Sequence, residues 1–242
     1  MNMLKSTLFG AALLATLATS QAAVVSVGGV TWDTAAIGQN GSPIDFTSRS
    51  DDVYQTIGNS SPYAVTGFGQ ITRINSSTGF CTNCTLTYEF GGFNLANSTT
   101  DPDADTTTRT YTGGWVNVYV NYLDNTRALW LGLQGHAGTS LTGIIVGSGV
   151  DVVGVNGTGL LDVVNGLAAS YFDTNAMTRG ADFRFSTTAT TIDASDPAAI
   201  KTSGSGTFTS QTQVTEVPEP ASVALVGLGL LGLAARRRKL AK

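Results

Sequence analysis

The chain has 242 residues and a formal net charge of −4, with only 12% charged residues and 29 glycines. The charge is uneven: sixteen of the 17 acids but seven of the 13 Lys and Arg lie between residues 23 and 217, a body charge of −9. An acidic body with scattered arginines argues against nucleic acid as a partner and suits an extracellular setting, divalent cations or neutral polysaccharide.

Residues 1–22 read as a signal peptide. Lys5 supplies a positive start, Leu8 to Ala18 is an uncharged apolar run, and Ser20-Gln21-Ala22 offers small residues at the −3 and −1 positions of a cleavage site. The competing reading is an N-terminal helix that is never cut, but the run is short for a span of about 20 residues.

Residues 23–216 form the body, long enough for one well-buried core. Short runs of Val, Thr, Tyr and Phe recur between Gly, Asn, Asp and Pro clusters, the pattern of many short strands. Val24 to Trp32 opens as a strand interrupted at Gly28-Gly29, and Tyr63, Val65, Gly67, Gly69 and Ile71 share a face of a second, long strand between Tyr63 and Ile74. Two segments alternate with a period of two: Cys84, Leu86, Tyr88 and Phe90 against Thr85, Thr87 and Glu89, then Val116, Val118, Val120 and Tyr122 against Trp115, Asn117, Tyr119 and Asn121. Asp124-Asn125-Thr126 turns the chain back into Ala128 to Leu133. Asp151-Val-Val-Gly and Asp162-Val-Val-Asn read as neighbouring strands with a tight turn at Asn156-Gly157. Phe183 and Phe185 share a face of a strand within Ala181 to Thr190, and Asp193 to Lys201 is the best short-helix candidate, with Asp193 as cap. Thr207 to Thr215 closes as a Thr-rich strand. The expectation is an all-β fold, an antiparallel two-sheet sandwich of about ten strands with jelly-roll-like connections, and a β-helix as second choice.

Candidate chemistry is sparse. Cys81-Thr-Asn-Cys84 leads into a strand, not a helix, and two more zinc ligands are lacking, so in an oxidising compartment a local disulfide is favoured over free or redox-active thiols. Asp101, Asp103 and Asp105 begin like a calcium loop, yet Thr106 and Thr112 stand where that loop needs Gly and Glu; a solvated acidic loop is the commoner outcome, weak calcium binding the testable one. Gly227-Leu-Gly-Leu-Leu-Gly232 matches a dinucleotide fingerprint without the strand or downstream acid that motif needs. His136 is the single histidine and no G-x-S-x-G occurs, which removes the nucleophile elbow; His136 is expected in an exposed loop. No catalytic residue is assigned. Trp32, Trp115, Trp130 and the tyrosines are available for stacking on sugars, although most such aromatics are core.

Residues 217–242 carry three parts in order: Pro218-Glu219-Pro220, an apolar run over 221–235, and Arg236, Arg237, Arg238 and Lys239. The prolines separate the apolar run from the preceding strand. As a helix the run spans about 22 Å against a hydrocarbon core of about 30 Å, and the bases stop it at the cytoplasmic face. This order resembles the PEP-CTERM sorting signal of Gram-negative bacteria, a tail that also goes by the name of ice-binding protein C-terminal domain. The resemblance implies that an exosortase-type membrane enzyme recognises Pro218, Glu219 and Pro220. It implies a transient stay in the inner membrane and release of the body to the cell surface or extracellular matrix.

For the body two functions remain: a non-enzymatic surface or matrix component that binds exopolysaccharide or neighbouring cells, as in a biofilm, and a secreted polysaccharide hydrolase working through aspartates. A groove lined by exposed Trp115 and Tyr119 would favour the first, two facing aspartates in a cleft the second.

Overall fold

A computed structural model describes residues 24–34, 44–59, 63–138, 140–147, 152–193, 195–196 and 198–213. The signal peptide and its helix, the sorting motif and the membrane helix with its basic stop lie outside these residues. Among the described residues no helix is long and apolar enough to cross a membrane.

The strands are β1 (Val24–Val27), β2 (Val30–Asp33), β3 (Phe46–Gly58), β4 (Val65–Ile71), β5 (Arg73–Ile74), β6 (Cys84–Asp101), β7 (Thr106–Tyr122), β8 (Arg127–Gly135), β9 (Leu141–Val146), β10 (Gly154–Asn165), β11 (Phe183–Asp193) and β12 (Ala199–Ser210), with a one-turn helix α1 (Ala169–Phe172) before β11. β1 and β2 pair only with each other; the other ten strands form one antiparallel sheet. β5 continues β4 beyond Thr72, and β9 continues β8 beyond a short irregular loop, each pair being one bent path. Counted this way the sheet has eight staves, each bonded to its neighbours in sequence, and β12 returns to pair with β3 through Ile200↔Ile57 and Phe208↔Ser48. The ring is therefore closed: an eight-stave up-and-down barrel.

All-β and antiparallel hold; the jelly-roll sandwich does not. Alternation marks only which face is buried, and a sandwich and a barrel bury it equally well. What closes this sheet is stave length and local coiling. β6 has 18 residues and β7 has 17. Register shifts fall in the pairings of β3, β6, β7, β10, β11 and β12, and such bulges sharpen the twist that brings the last stave back to the first.

The expected faces are borne out. Leu86, Tyr88, Phe90, Val116, Val118 and Val120 are buried inside the ring. Gly67 and Gly69 face inward beneath Phe90 and Tyr88, whose rings occupy the space a Cβ would need. Outside, the staves carry mostly Thr, Ser, Asn, Gln and charged residues, with exposed apolar side chains such as Phe68, Trp115, Ile144 and Ile192 among them; a mainly polar outside over an apolar inside is the reverse of a transmembrane barrel. Two local expectations fail. Asn156-Gly157 makes no turn, because β10 runs straight through it, held by β9 on one side and β11 on the other. Asp193 to Lys201 is a strand connection, not a helix: Asp193 Oδ1 accepts the Ser195 N–H at 3.0 Å, and β12 has already begun at Ala199. A cap signal is equally a turn signal, and no apolar stripe followed it.

One end of the ring is plugged. The β1–β2 hairpin turns at Gly28-Gly29 (φ +61 and +86) and lays Trp32 among Phe46, Trp130, Tyr171 and Phe172. Polar tips are satisfied there: Trp130 Nε1 donates to Val27 O at 3.1 Å, Tyr122 Oη to Gly28 O at 3.1 Å and Trp32 Nε1 to Thr212 Oγ1 at 3.2 Å. Asp182, 2% exposed, locks the same end by accepting N–H groups of Val163, Thr174 and Asn175. The described chain thus begins and ends at the plugged end.

Candidate functional site

The outer wall over β3, β4, β6 and β7 departs from its polar norm. Facing pairs run across it from strand to strand: Tyr54↔Phe68, Phe68↔Glu89, Glu89↔Asn117 and Asn117↔Gly132. The neighbouring row holds Thr56↔Thr66, then Gly91↔Trp115 and Trp115↔Gln134. Outward positions on a strand ordinarily carry small polar side chains, yet here Tyr54, Phe68 and Trp115 are 41, 57 and 40% exposed. Tyr54 and Phe68 stack with centroids 5.3 Å apart.

The glycines make room. The Nε1 edge of the Trp115 indole lies over Gly91 and Gly92, where added Cβ atoms would come within 3.2 and 3.0 Å of it. Trp115 stands as a ridge between two depressions. One, of about 600 Å3, is bordered by Tyr54, Thr56, Thr66, Phe68, Glu89, Ile192 and Lys201. The other, of about 300 Å3, is bordered by Asn117, Gly132, Gln134, Val164 and Asn165. Together they make a trough with aromatic and amide walls.

The charges of the trough are neutralised locally. Glu89 Oε1 and Arg127 Nη2 are 2.8 Å apart, and Lys201 Nζ lies 3.1 Å from Asp193 Oδ2. The Ser195 hydroxyl, then its N–H, then Lys201 pull Asp193 down to about 2. Such a surface offers π-faces, amides and hydroxyls without net charge, which suits a neutral polyhydroxylated chain stacked by its apolar ring faces. Tyr119 does not join it as an open face: the Arg127 guanidinium covers its ring, 3.5 Å from the centroid.

The other candidate residues are dispersed. Cys81 and Cys84 form a disulfide at the entrance to β6, as the spacing suggested, and Cys81 also bridges to Val30 of the plug hairpin. Asp101, Asp103 and Asp105 sit at the exposed tip of the β6–β7 hairpin, where Asp101 Oδ1 accepts the N–H groups of Asp103 and Ala104. Among the described residues no three His, Cys, Asp or Glu are gathered to hold a metal. Trp32 and Trp130 are core. His136 corrects its expectation: its side chain is 16% exposed and its Nδ1 meets Asp162 Oδ1 at 2.7 Å. Glu89 is thus paired with Arg127 and Asp193 with Lys201, while Asp162 is hydrogen-bonded to His136. Tyr54, Phe68 and Glu89 as neighbours of Trp115 were missed; their outward parity in strands was the available signal, but the pairing of those strands was not.

Residues 216–239 match the family profile of the PEP-CTERM protein-sorting motif. The motif implies export and processing by an exosortase, a membrane enzyme, with a transient membrane anchor. No match was found among curated proteins or among solved structures.

Proposed function

From a chain that carries a PEP-CTERM sorting signal, we propose a non-catalytic exported protein whose barrel binds exopolysaccharide at the cell surface or in the extracellular matrix. The observation that supports the reading is the ridge of Trp115 between two depressions, with the exposed rings of Tyr54 and Phe68 on the same wall. The indole keeps 40% of its surface exposed on the outer face, with its covered edge seated on Gly91 and Gly92. Sugar rings present one or two C–H faces that stack on such an indole, while their hydroxyls meet Asn117, Gln134, Thr56 and Thr66. Engagement of Glu89 by Arg127 and of Asp162 by His136 supports binding without hydrolysis. Calcium has no part in this reading of the trough.

The test is a glycan array probed with the purified chain, with and without calcium, followed by incubation of the bound polysaccharide with the protein and assay for new reducing ends. Binding to neutral polysaccharide, unchanged by chelator and without release of reducing ends, is expected. Release of reducing ends sinks the non-catalytic reading.

A further inference from the structure

The larger depression of the trough is bordered by two separate aromatic stations, Phe68 and Trp115. Phe68 faces Glu89, Glu89 faces Asn117, and Trp115 stands two residues from Asn117 along β7. Two strand spacings across and two residues along place Phe68 and Trp115 about 12 Å apart at their Cα atoms. The indole leans back toward β6 over Gly91 and Gly92, which brings the two rings to two strand spacings, about 10 Å. Tyr54 backs Phe68 with planes 24° apart, so the pair forms one platform, and Phe68 still leaves more than half of its surface open.

That spacing selects among neutral glycans. Neighbouring rings of an extended glycan lie about one strand spacing apart, and alternate rings about two. Phe68 and Trp115 therefore cannot stack on neighbouring rings; they match a ring and the next but one. In a chain joined through equatorial bonds at opposite corners of each ring, every ring is turned over relative to the last, so alternate rings show the same C–H face to one side. Such a straight ribbon lays a face on both stations at once. In an axially joined chain the rings rotate progressively and the chain coils, so a ring stacked on Trp115 leaves the ring two units on with no face toward Phe68.

The polar side chains suit the same occupant. Thr56 and Thr66 border the larger depression, and Asn117, Gln134 and Asn165 lie on the other side of Trp115, where hydroxyls along the edges of a ribbon meet them. Among the described residues bordering the two depressions the charged ones are Glu89 and Lys201, held by Arg127 and Asp193, so no unpaired charge calls for an acidic or sulfated sugar.

We infer that the trough, on the reading that it binds polysaccharide, takes a straight ribbon of equatorially joined neutral sugars, of the cellulose or mannan class, with Phe68 and Trp115 under alternate rings. The smallest ligand that reaches both stations is three consecutive sugar units.

The test is calorimetric titration of the purified full chain with cello- and manno-oligosaccharides of two to six units, and with coiling malto-oligosaccharides of the same lengths, for the native protein and Phe68→Ala. In at least one straight series, four units are expected to bind at least tenfold tighter than two, with little further gain at six, and at least tenfold tighter than four units of the coiled series. Phe68→Ala weakens the four-unit ligand at least fivefold and leaves the two-unit ligand, which reaches one station only, within twofold of native; its urea midpoint shows that the variant is folded. The inference is overturned if two and four units bind alike, if the coiled series binds as tightly, or if Phe68→Ala keeps native affinity for four units. With binding on the glycan array intact, each of those results leaves the polysaccharide reading standing, whereas a folded chain that takes up no neutral polysaccharide overturns both.

Discussion

Trp115→Ala separates the trough from ordinary surface. An indole carries up to about 250 Å2 of surface, and Trp115 leaves 40% of it exposed, so about 100 Å2 is available to a ligand. Covering half to all of that at about 25 cal/mol per Å2 contributes about 1.2–2.5 kcal/mol. Removing the ring therefore weakens polysaccharide binding about 8- to 60-fold. Stability falls as well, because the covered part of the ring is packed on Gly91 and Gly92 and is lost with it. Isothermal titration with an oligosaccharide selected on the array measures the affinity, and urea unfolding the stability. Ile144→Ala is the control: it is similarly exposed, at 41%, and does not border the trough. Native affinity in Trp115→Ala, or an equal loss in Ile144→Ala, refutes the stacking argument.

Gly91→Ala tests the seat without deleting the ring. Its Cβ would stand 3.2 Å from Trp115 Cζ2, so the indole shifts by a few tenths of an ångström, and affinity drops several-fold while the urea midpoint stays nearly constant. Burial pushes the Tyr88 phenol up to about 12 from 10. The folded state holds that proton more tightly, so its contribution is full below pH 10 and is lost as pH rises through 12, by up to about 2–3 kcal/mol. Tyr88→Phe should flatten this alkaline limb of the denaturation profile; an unchanged limb places the cause elsewhere. Asp182→Ala leaves the N–H groups of Val163, Thr174 and Asn175 without their acceptor, each at about 1–3 kcal/mol. Unfolding free energy should drop by at least about 3 kcal/mol, and a loss below 1 kcal/mol contradicts the assignment. Replacing Cys81 and Cys84 together by Ser removes the cross-link of a very short loop, for which about 2 kcal/mol is expected, seen as the difference between native and variant urea midpoints.

What the residues determined alone is local and periodic. The alternation of Leu86, Tyr88 and Phe90, and of Val116, Val118 and Val120, specifies strands with one buried face whatever surrounds them. Cys81 and Cys84 are close enough in sequence to pair without help from the fold. The tail is legible because its three parts are read in linear order. Closure is different in kind: it depends on Ile200 meeting Ile57 across more than a hundred residues, and no period-two pattern encodes which strand lies beside which. The same limit hid the trough. Tyr54 and Phe68 become neighbours of Trp115 only when β3, β4, β6 and β7 are laid side by side.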